Sequence, residues 1–532
     1  MKFAMKTAIV IGGGIGGLAT AGLLAKAGMQ VTVFEARERV GGRAYSWERD
    51  GFKFDLGPSW YLMPDAFEQW FNLMGTTAEN ELQLVQLDPA YQTRNEGQGD
   101  RLRIRANLAD NKQLFDEIEP GAGARLQDYV DSAQDAYELS IKRFLYTNFR
   151  DARAFANAEV LRKSGTFVRH LLTPLHTFVS QHVSDKRLQK ILDFPAVFLG
   201  ASPYKTPSMY HLMTHVDMNQ GVFYPMGGFY TIIEAIERLA KQAGVTVHTN
   251  SPVSKIEVDD SGRAIGVRVG EAFFEADVVI GNADLHHIET QLLDEKHQTL
   301  PERWWSKREP GPSALLLYLG VRGELPDLDH HTLLYADDWG KNFAKVFRKP
   351  GDQSAPEFPT PASMYLSVIS KTDKSTAPEG FENLFVLVPI APDVRLGKGG
   401  ADRTGDPALE AAADRVIEQI AEWCNIPDLA ERIVVRRTMG PGNFADELNA
   451  WSGTALGMAH TLRQSAFFRP KNRSKKVANL FYVGHNTIPG IGLPMCLIGA
   501  ELVLKHLKDD RSVGPTRGAV KPLNDKAWKG LK

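Results

Sequence analysis

Cysteine is scarce. Among 532 residues only Cys424 and Cys496 occur, too few for a disulfide framework or a four-cysteine zinc site. That usage fits a reducing compartment. Charge of one sign is missing as well: 62 basic side chains face 64 acidic ones, a net charge of −2. This argues against nucleic-acid binding driven by overall charge. Long hydrophobic runs are also absent. Ala8 to Ala25 is uncharged and follows two lysines in Met1–Lys6, the outline of a secretory signal. Gly12, Gly13, Gly14, Gly16, Gly17 and Gly22 interrupt it, and glycine gives an inserting helix little apolar area and low helix propensity. No other uncharged apolar run reaches the ~18 residues that span a bilayer, so the chain reads as soluble or peripheral. Hydrophobic residues make up 43% and charged residues 24%, enough for large cores, and the length suggests about three or four folding units.

What is present starts at the N-terminus. Thr7–Ile11 reads as a short buried strand and Leu18–Ala27 as a helix rich in Ala and Leu. Between them, Gly12-Gly13-Gly14-Ile15-Gly16-Gly17 satisfies G-x-G-x-x-G at Gly12, Gly14 and Gly17. The first glycine permits a tight turn, the second lets backbone approach a pyrophosphate, and the third lets helix and strand pack closely. The phosphates would rest on the free amides at the helix start. A second strand, Gln30–Phe34, follows, and Glu35 ends it where a carboxylate accepts hydrogen bonds from an adenosine ribose.

Beyond the glutamate lies Arg39-Val40-Gly41-Gly42-Arg43. A glycine pair followed by arginine resembles the FAD-binding signature of the flavin amine oxidase superfamily. Two flexible residues bring backbone close to the diphosphate, and Arg43 supplies a charged donor.

The remaining pattern is discontinuous. Residues 1–60, 221–285 and 476–510 read as one FAD-binding domain, visited three times by the chain. Its second visit carries Tyr224–Gly228, the amphipathic helix Phe229–Ala243, the strand Val245–Thr249, the alternating pair Val253–Val258 and Ala264–Val269, and the buried run Asp277–Ile280 that ends at Asp284. Its third carries Leu480–Val483, the turn Gly484–Met495 and the helix Cys496–Leu507. Residues 61–220 read as a helical region that contacts substrate and membrane, residues 286–475 as a substrate-binding domain of strands and helices, and 511–532 as a basic, mobile tail.

Over nearly its whole length the chain is similar to the bacterial phytoene desaturase (carotenoid dehydrogenase) family. The resemblance is carried by Ile11–Leu18, Gly41–Tyr45, Phe54–Pro58, Phe198–Pro203, Ala377–Gly380, Gln464–Pro470, Tyr482–Gly484 and Pro489–Pro494. The sequence departs from many relatives at His485, Asn486, Ile488 and Met495. The resemblance implies an α/β fold: a Rossmann-like FAD-binding domain with a mixed α+β substrate domain and a helical membrane-associating region. It implies FAD held by Gly12, Gly14, Gly17, Glu35, Gly41, Gly42, Arg43, Val253, Gly484, Gly490, Ile491 and Pro494. The activity implied is removal of hydrogen pairs from phytoene or a related linear polyene, with hydride passing to the flavin and a proton lost to the protein.

Such a hydrocarbon offers no hydrogen-bonding handle, so binding must come from apolar area in a long channel, without a metal. For the proton the candidates are Asp151 and Arg150, in a segment that matches a family acid/base segment, and His485, expected near the ring. The same residues would also serve as a surface ion pair between helices and a satisfied structural histidine. Between Ser140 and His170, seven basic and two acidic residues interleave with aromatics, which suits an anionic lipid surface and equally a solvated helical face. The implied setting is the cytoplasm, at the inner face of the cell membrane, with oxygen or a quinone as final electron acceptor and no nucleic-acid partner. Rival readings are a flavin amine or protoporphyrinogen oxidase, which shares the early motifs, and a non-catalytic prenyl-binding escort protein of related fold.

Overall fold

A computed structural model describes residues 5–57, 59–150, 164–347, 352 and 354–523. Asp151, one of the proton candidates, lies outside the described residues.

Five short strands, Thr7–Ile11, Gln30–Phe34, Thr246–His248, Val278–Gly281 and Leu480–Tyr482, form one parallel sheet. Its spatial order runs 480–482, 278–281, 7–11, 30–34, 246–248. Parallel strands are covered on both faces, and the first strand shows how. Ala8 and Val10 join the larger core together with the helices Ile15–Lys26, Tyr230–Gln242 and Leu493–Leu507. Ile9 and Ile11 point the other way, into a smaller core shared with Ile256 and Val267. Those two residues belong to a three-stranded antiparallel sheet, Val253–Val258, Ala264–Val269 and Ala272–Glu275.

The second large unit is a seven-stranded mixed sheet. Its order is Ile433–Met439, Ser313–Arg322, Phe381–Ile390, Met364–Ser367, His331–Tyr335, Tyr91–Asn95, Leu102–Ile104. The period of two along Ser313–Arg322 divides its side chains between two cores. Leu315, Leu317, Leu319 and Val321 pack beneath the helix Pro407–Trp423. Ala314, Leu316 and Tyr318 face the larger core, and Ala314 and Leu316 also form part of a cavity wall.

Two expectations change here. The 61–220 stretch is not wholly helical: Tyr91–Asn95 and Leu102–Ile104 extend the seven-stranded sheet, and Tyr91–Asn95 pairs in parallel with His331–Tyr335. The segment Tyr-Gln-Thr-Arg-Asn looks like a polar loop. Two of its side chains reach remote partners instead, with Gln92 Nε2 donating to the Asp327 carbonyl and Thr332 Oγ1, and Arg94 Nη2 donating to Asp327. The described part of the tail, up to residue 523, is tied down. The Thr516 amide donates to Glu501 Oε1, buried Lys505 Nζ donates to the Gly514 carbonyl, and the Leu523 amide donates to the Ala27 carbonyl.

Candidate active site

The glycine turn opens the site. Gly12 has φ +98°, and a Cβ on Gly17 would lie 2.2 Å from the Gly12 carbonyl oxygen, so the helix Ile15–Lys26 starts directly against the strand end. Its N-cap, Gly14, offers no side chain to the first-turn amides, which leaves them free for an anion. The Gly41 amide donates to the Gly13 carbonyl at 2.9 Å and brings the second glycine pair over the first. Glu35 accepts from the amides of Gly13 at 2.7 Å and Arg37 at 2.9 Å; each carboxylate oxygen keeps lone-pair capacity for a hydroxyl.

Gly12, Gly14, Glu35, Arg37 and Gly41 face one cavity of about 810 Å³. Of the residues expected to hold a dinucleotide, all but Gly17 and Gly490 line it. These two act by absence of a side chain: Gly17 beneath the Gly12 carbonyl, and Gly490, at φ +147°, where a Cβ would meet His460 Nε2 at 2.5 Å. The last helix, Leu493–Leu507, also starts at the cavity with an uncapped glycine, Gly492.

At the floor sits a polar cluster. Arg43 Nε donates to the Ala455 carbonyl at 2.9 Å, and Nη1 faces His485 Nδ1 at 3.4 Å. His485 Nε2 lies 3.5 Å from Asp284 Oδ2. Burial, then the neighbouring Arg43 guanidinium, push His485 down to about 4, so its ring is neutral at pH 7. Burial alone would raise the Asp284 carboxyl. The His485 N–H and the Arg43 charge outweigh it and hold the group ionised. Arg43 Nη2 has no hydrogen-bond partner among the described residues. A buried donor without a hydrogen-bond partner, beside two uncapped helix starts and a glycine floor, fits the diphosphate of a dinucleotide.

The other part of the cavity is apolar. Leu316, Tyr335, Met364, Tyr365 and Leu387 of the seven-stranded sheet form one wall; Trp60, Phe194, Val197, Leu212, Trp339 and Phe343 close around it. The space is continuous from the glycine turn to this wall, so a planar ring bound at the junction would meet an apolar chain.

Of the proton candidates, the two among the described residues differ in place. Arg150 does not line the cavity; its Nη1 is paired with Asp509 Oδ1 at 2.7 Å. His485 does line it, with Nδ1 facing Arg43 and Nε2 approaching Asp284 at 3.5 Å without a hydrogen bond. Sequence reading passed over Asp284, Asn282 and Arg469. Asn282 Nδ2 donates to the Gly12 carbonyl at 3.1 Å and fixes the turn from below. Asp284 caps the helix Leu285–Gln291 by accepting from the His286 amide. Arg469 is 1% exposed and donates to the carbonyls of His485, Gln464 and Met458, acceptors that no local pattern reveals.

Residues 15–502 match the family described as flavin-containing amine oxidoreductase. The chain is 38% identical over 501 residues to a carotenoid 3,4-desaturase of Haloarcula japonica, covering 94% of this chain and 98% of that protein. It is 34% identical over 525 residues to a zeta-carotene-forming phytoene desaturase of Myxococcus xanthus, covering 97% of each. The fold is shared with the crystal structure of an oxidoreductase from Methanosarcina mazei, at TM-score 0.59 and 18% identity, over 94% of this chain and 100% of that one.

Proposed function

The chain belongs to the flavin-containing amine oxidoreductases, and within them to the phytoene desaturase family, and on that footing we propose that it desaturates phytoene or a closely related linear carotenoid precursor. It is an FAD-dependent oxidoreductase. The cradle of Gly12, Gly14, Glu35, Gly41, Gly42 and Arg43 would hold the dinucleotide, and the turn Gly484–Met495 contributes to the same cavity. When bound there, flavin supplies an acceptor for hydride from a saturated carbon pair.

The chain's own residues do the rest. The sheet wall binds the polyene through buried area, worth about 25 cal/mol per Å², and orients it by shape because the substrate has nothing to hydrogen-bond. Trp60, Phe194, Trp339 and Phe343 keep water from the reacting carbons. Removal of the proton falls to Asp151 on the family likeness, since Arg150 is paired with Asp509 and a guanidinium has no acceptor. His485 acts differently: its Nδ1 accepts from Arg43 and its Nε2–H faces Asp284, so it holds the guanidinium in place. Electrons then leave to oxygen or a quinone.

The observation that carries this reading is the single cavity joining a glycine-lined anion cradle to an apolar sheet face. Expression in a host that accumulates phytoene tests it. The cells should turn yellow to red, with the absorption bands of a lengthened polyene; colourless cells containing the flavin-loaded protein would overturn it.

A lipophilic substrate must be collected from a lipid surface. No helix among the described residues is long and apolar enough to cross a membrane, so the contact we propose is peripheral. Phe467 lines the cavity yet is 53% exposed, and Phe468 beside it is equally exposed. Leu171 also lines the cavity, and its neighbour Leu172 is 69% exposed. Arg169, Arg463 and Lys471 are exposed on the same two segments. Aromatic tips flanked by cations suit the headgroup boundary of anionic lipid. The double substitution Phe467→Ser and Phe468→Ser should reduce flotation with anionic liposomes about tenfold, leaving flavin content unchanged. Undiminished flotation would remove this rim as the contact.

A further inference from the structure

Asp284 has a fully buried side chain, 0% exposed. Its two oxygens divide their partners. Oδ1 accepts the His286 amide at 3.0 Å. Oδ2 is shared among three donors, none of them close: His485 Nε2 at 3.5 Å, Asn486 Nδ2 at 3.5 Å and Arg43 Nη2 at 3.9 Å. A guanidinium can only donate, so the 3.4 Å approach of Arg43 Nη1 makes His485 Nδ1 the acceptor. The neutral ring therefore carries its proton on Nε2, pointing at Asp284. Arg43 is thus flanked by the carboxylate directly and by an imidazole that the same carboxylate orients. Its Nη2, lacking a hydrogen-bond partner among the described residues, belongs to a side chain lining the cavity.

We propose that Asp284 is a positioning residue for the cofactor: its buried carboxylate aims the Arg43 guanidinium, directly and through His485, so that Nη2 is presented to the dinucleotide's diphosphate. This rests on the reading of the cavity as a flavin site. The physical reason is that a buried guanidinium has a costly choice of orientations unless a fixed counter-charge selects one. The Ala455 carbonyl alone restrains only Nε.

A double-mutant cycle between Arg43 and Asp284 tests it. Asp284→Asn keeps an oxygen for the His286 amide, since asparagine caps as well as aspartate; it removes the charge and sets a donating Nδ2 where Oδ2 faced Arg43 and His485. Titration of the flavin-stripped protein with FAD, followed by flavin fluorescence, should show about tenfold weaker binding in Asp284→Asn. In the Arg43→Gln background the same substitution should have no further effect. A parallel cycle on thermal unfolding of the flavin-free chain should show the same pattern: a lowered midpoint beside Arg43 and none in the Arg43→Gln background. Equal losses in both backgrounds, or binding as tight as the parent's in Asp284→Asn, would overturn the assignment. Should the parent chain fail to bind FAD at all, the flavin reading falls instead, and the unfolding cycle still decides whether Asp284 acts through Arg43.

Discussion

Gly17→Ala should leave the protein colourless after purification, with FAD affinity reduced about a hundredfold. The added methyl carbon would lie 2.2 Å from the Gly12 carbonyl oxygen and 2.7 Å from Asn282 Nδ2. Neither neighbour is the free end of a flexible side chain. Gly12 is backbone in the tight turn, and Asn282 is anchored by its own bond to that carbonyl at 3.1 Å. The helix start must therefore move away from the strand end, carrying the free first-turn amides with it. Overpacking of this kind costs about 3 kcal/mol, equivalent to about two decades in binding if the strain is concentrated in the cradle. The ratio of flavin absorbance to protein absorbance measures it. A yellow Gly17→Ala protein with parental affinity would show that the close helix–strand approach is not what holds the cofactor.

Arg469→Met should be the most damaging change outside the glycine turns. Arg469 sits in a loop, yet it is 1% exposed and donates to three carbonyls on either side of it in the chain: His485 at 2.6 and 3.2 Å, Gln464 at 3.1 Å and Met458 at 3.3 Å. Burial lowers the guanidinium to about 10, so it remains charged at pH 7 and its hydrogen bonds are charge-assisted. Methionine fills similar space but leaves three buried acceptors without donors, a loss of about 3–5 kcal/mol together. Because His485 lies in the turn beneath the cavity, flavin should be lost along with stability. Arg469→Lys should recover little, since one ammonium cannot span three diverging carbonyls. Denaturant unfolding followed by flavin release reads both effects. A midpoint within error of the parent's would mean that water replaces the guanidinium without cost.

The two predictions differ in how visible their residues are beforehand. Gly17 belongs to a motif whose parts lie within one strand, one turn and one helix, and spacing alone identifies it. The strand runs Thr7–Ile11, Gln30–Phe34 and Leu480–Tyr482 are legible for a similar reason: a strand covered on both faces is a short run without charge. Arg469 shows no such local sign. Nor does Tyr91–Asn95, whose polar letters conceal a strand because their partners, Asp327 and Thr332, arrive from a distant part of the chain.

The sequence by itself determined that a nucleotide cradle would form, that a flavin fits it, and, through family likeness, what kind of substrate belongs there. Those properties follow from contacts among near neighbours, where turn geometry and side-chain period leave few alternatives. The tertiary structure decided which charges meet at the floor of the cavity, where the cavity reaches the surface, and that residues 512–523 are fastened rather than loose. Arg43 and His485 stand 442 positions apart, and only the packing of two sheets around one core brings such groups within hydrogen-bonding range.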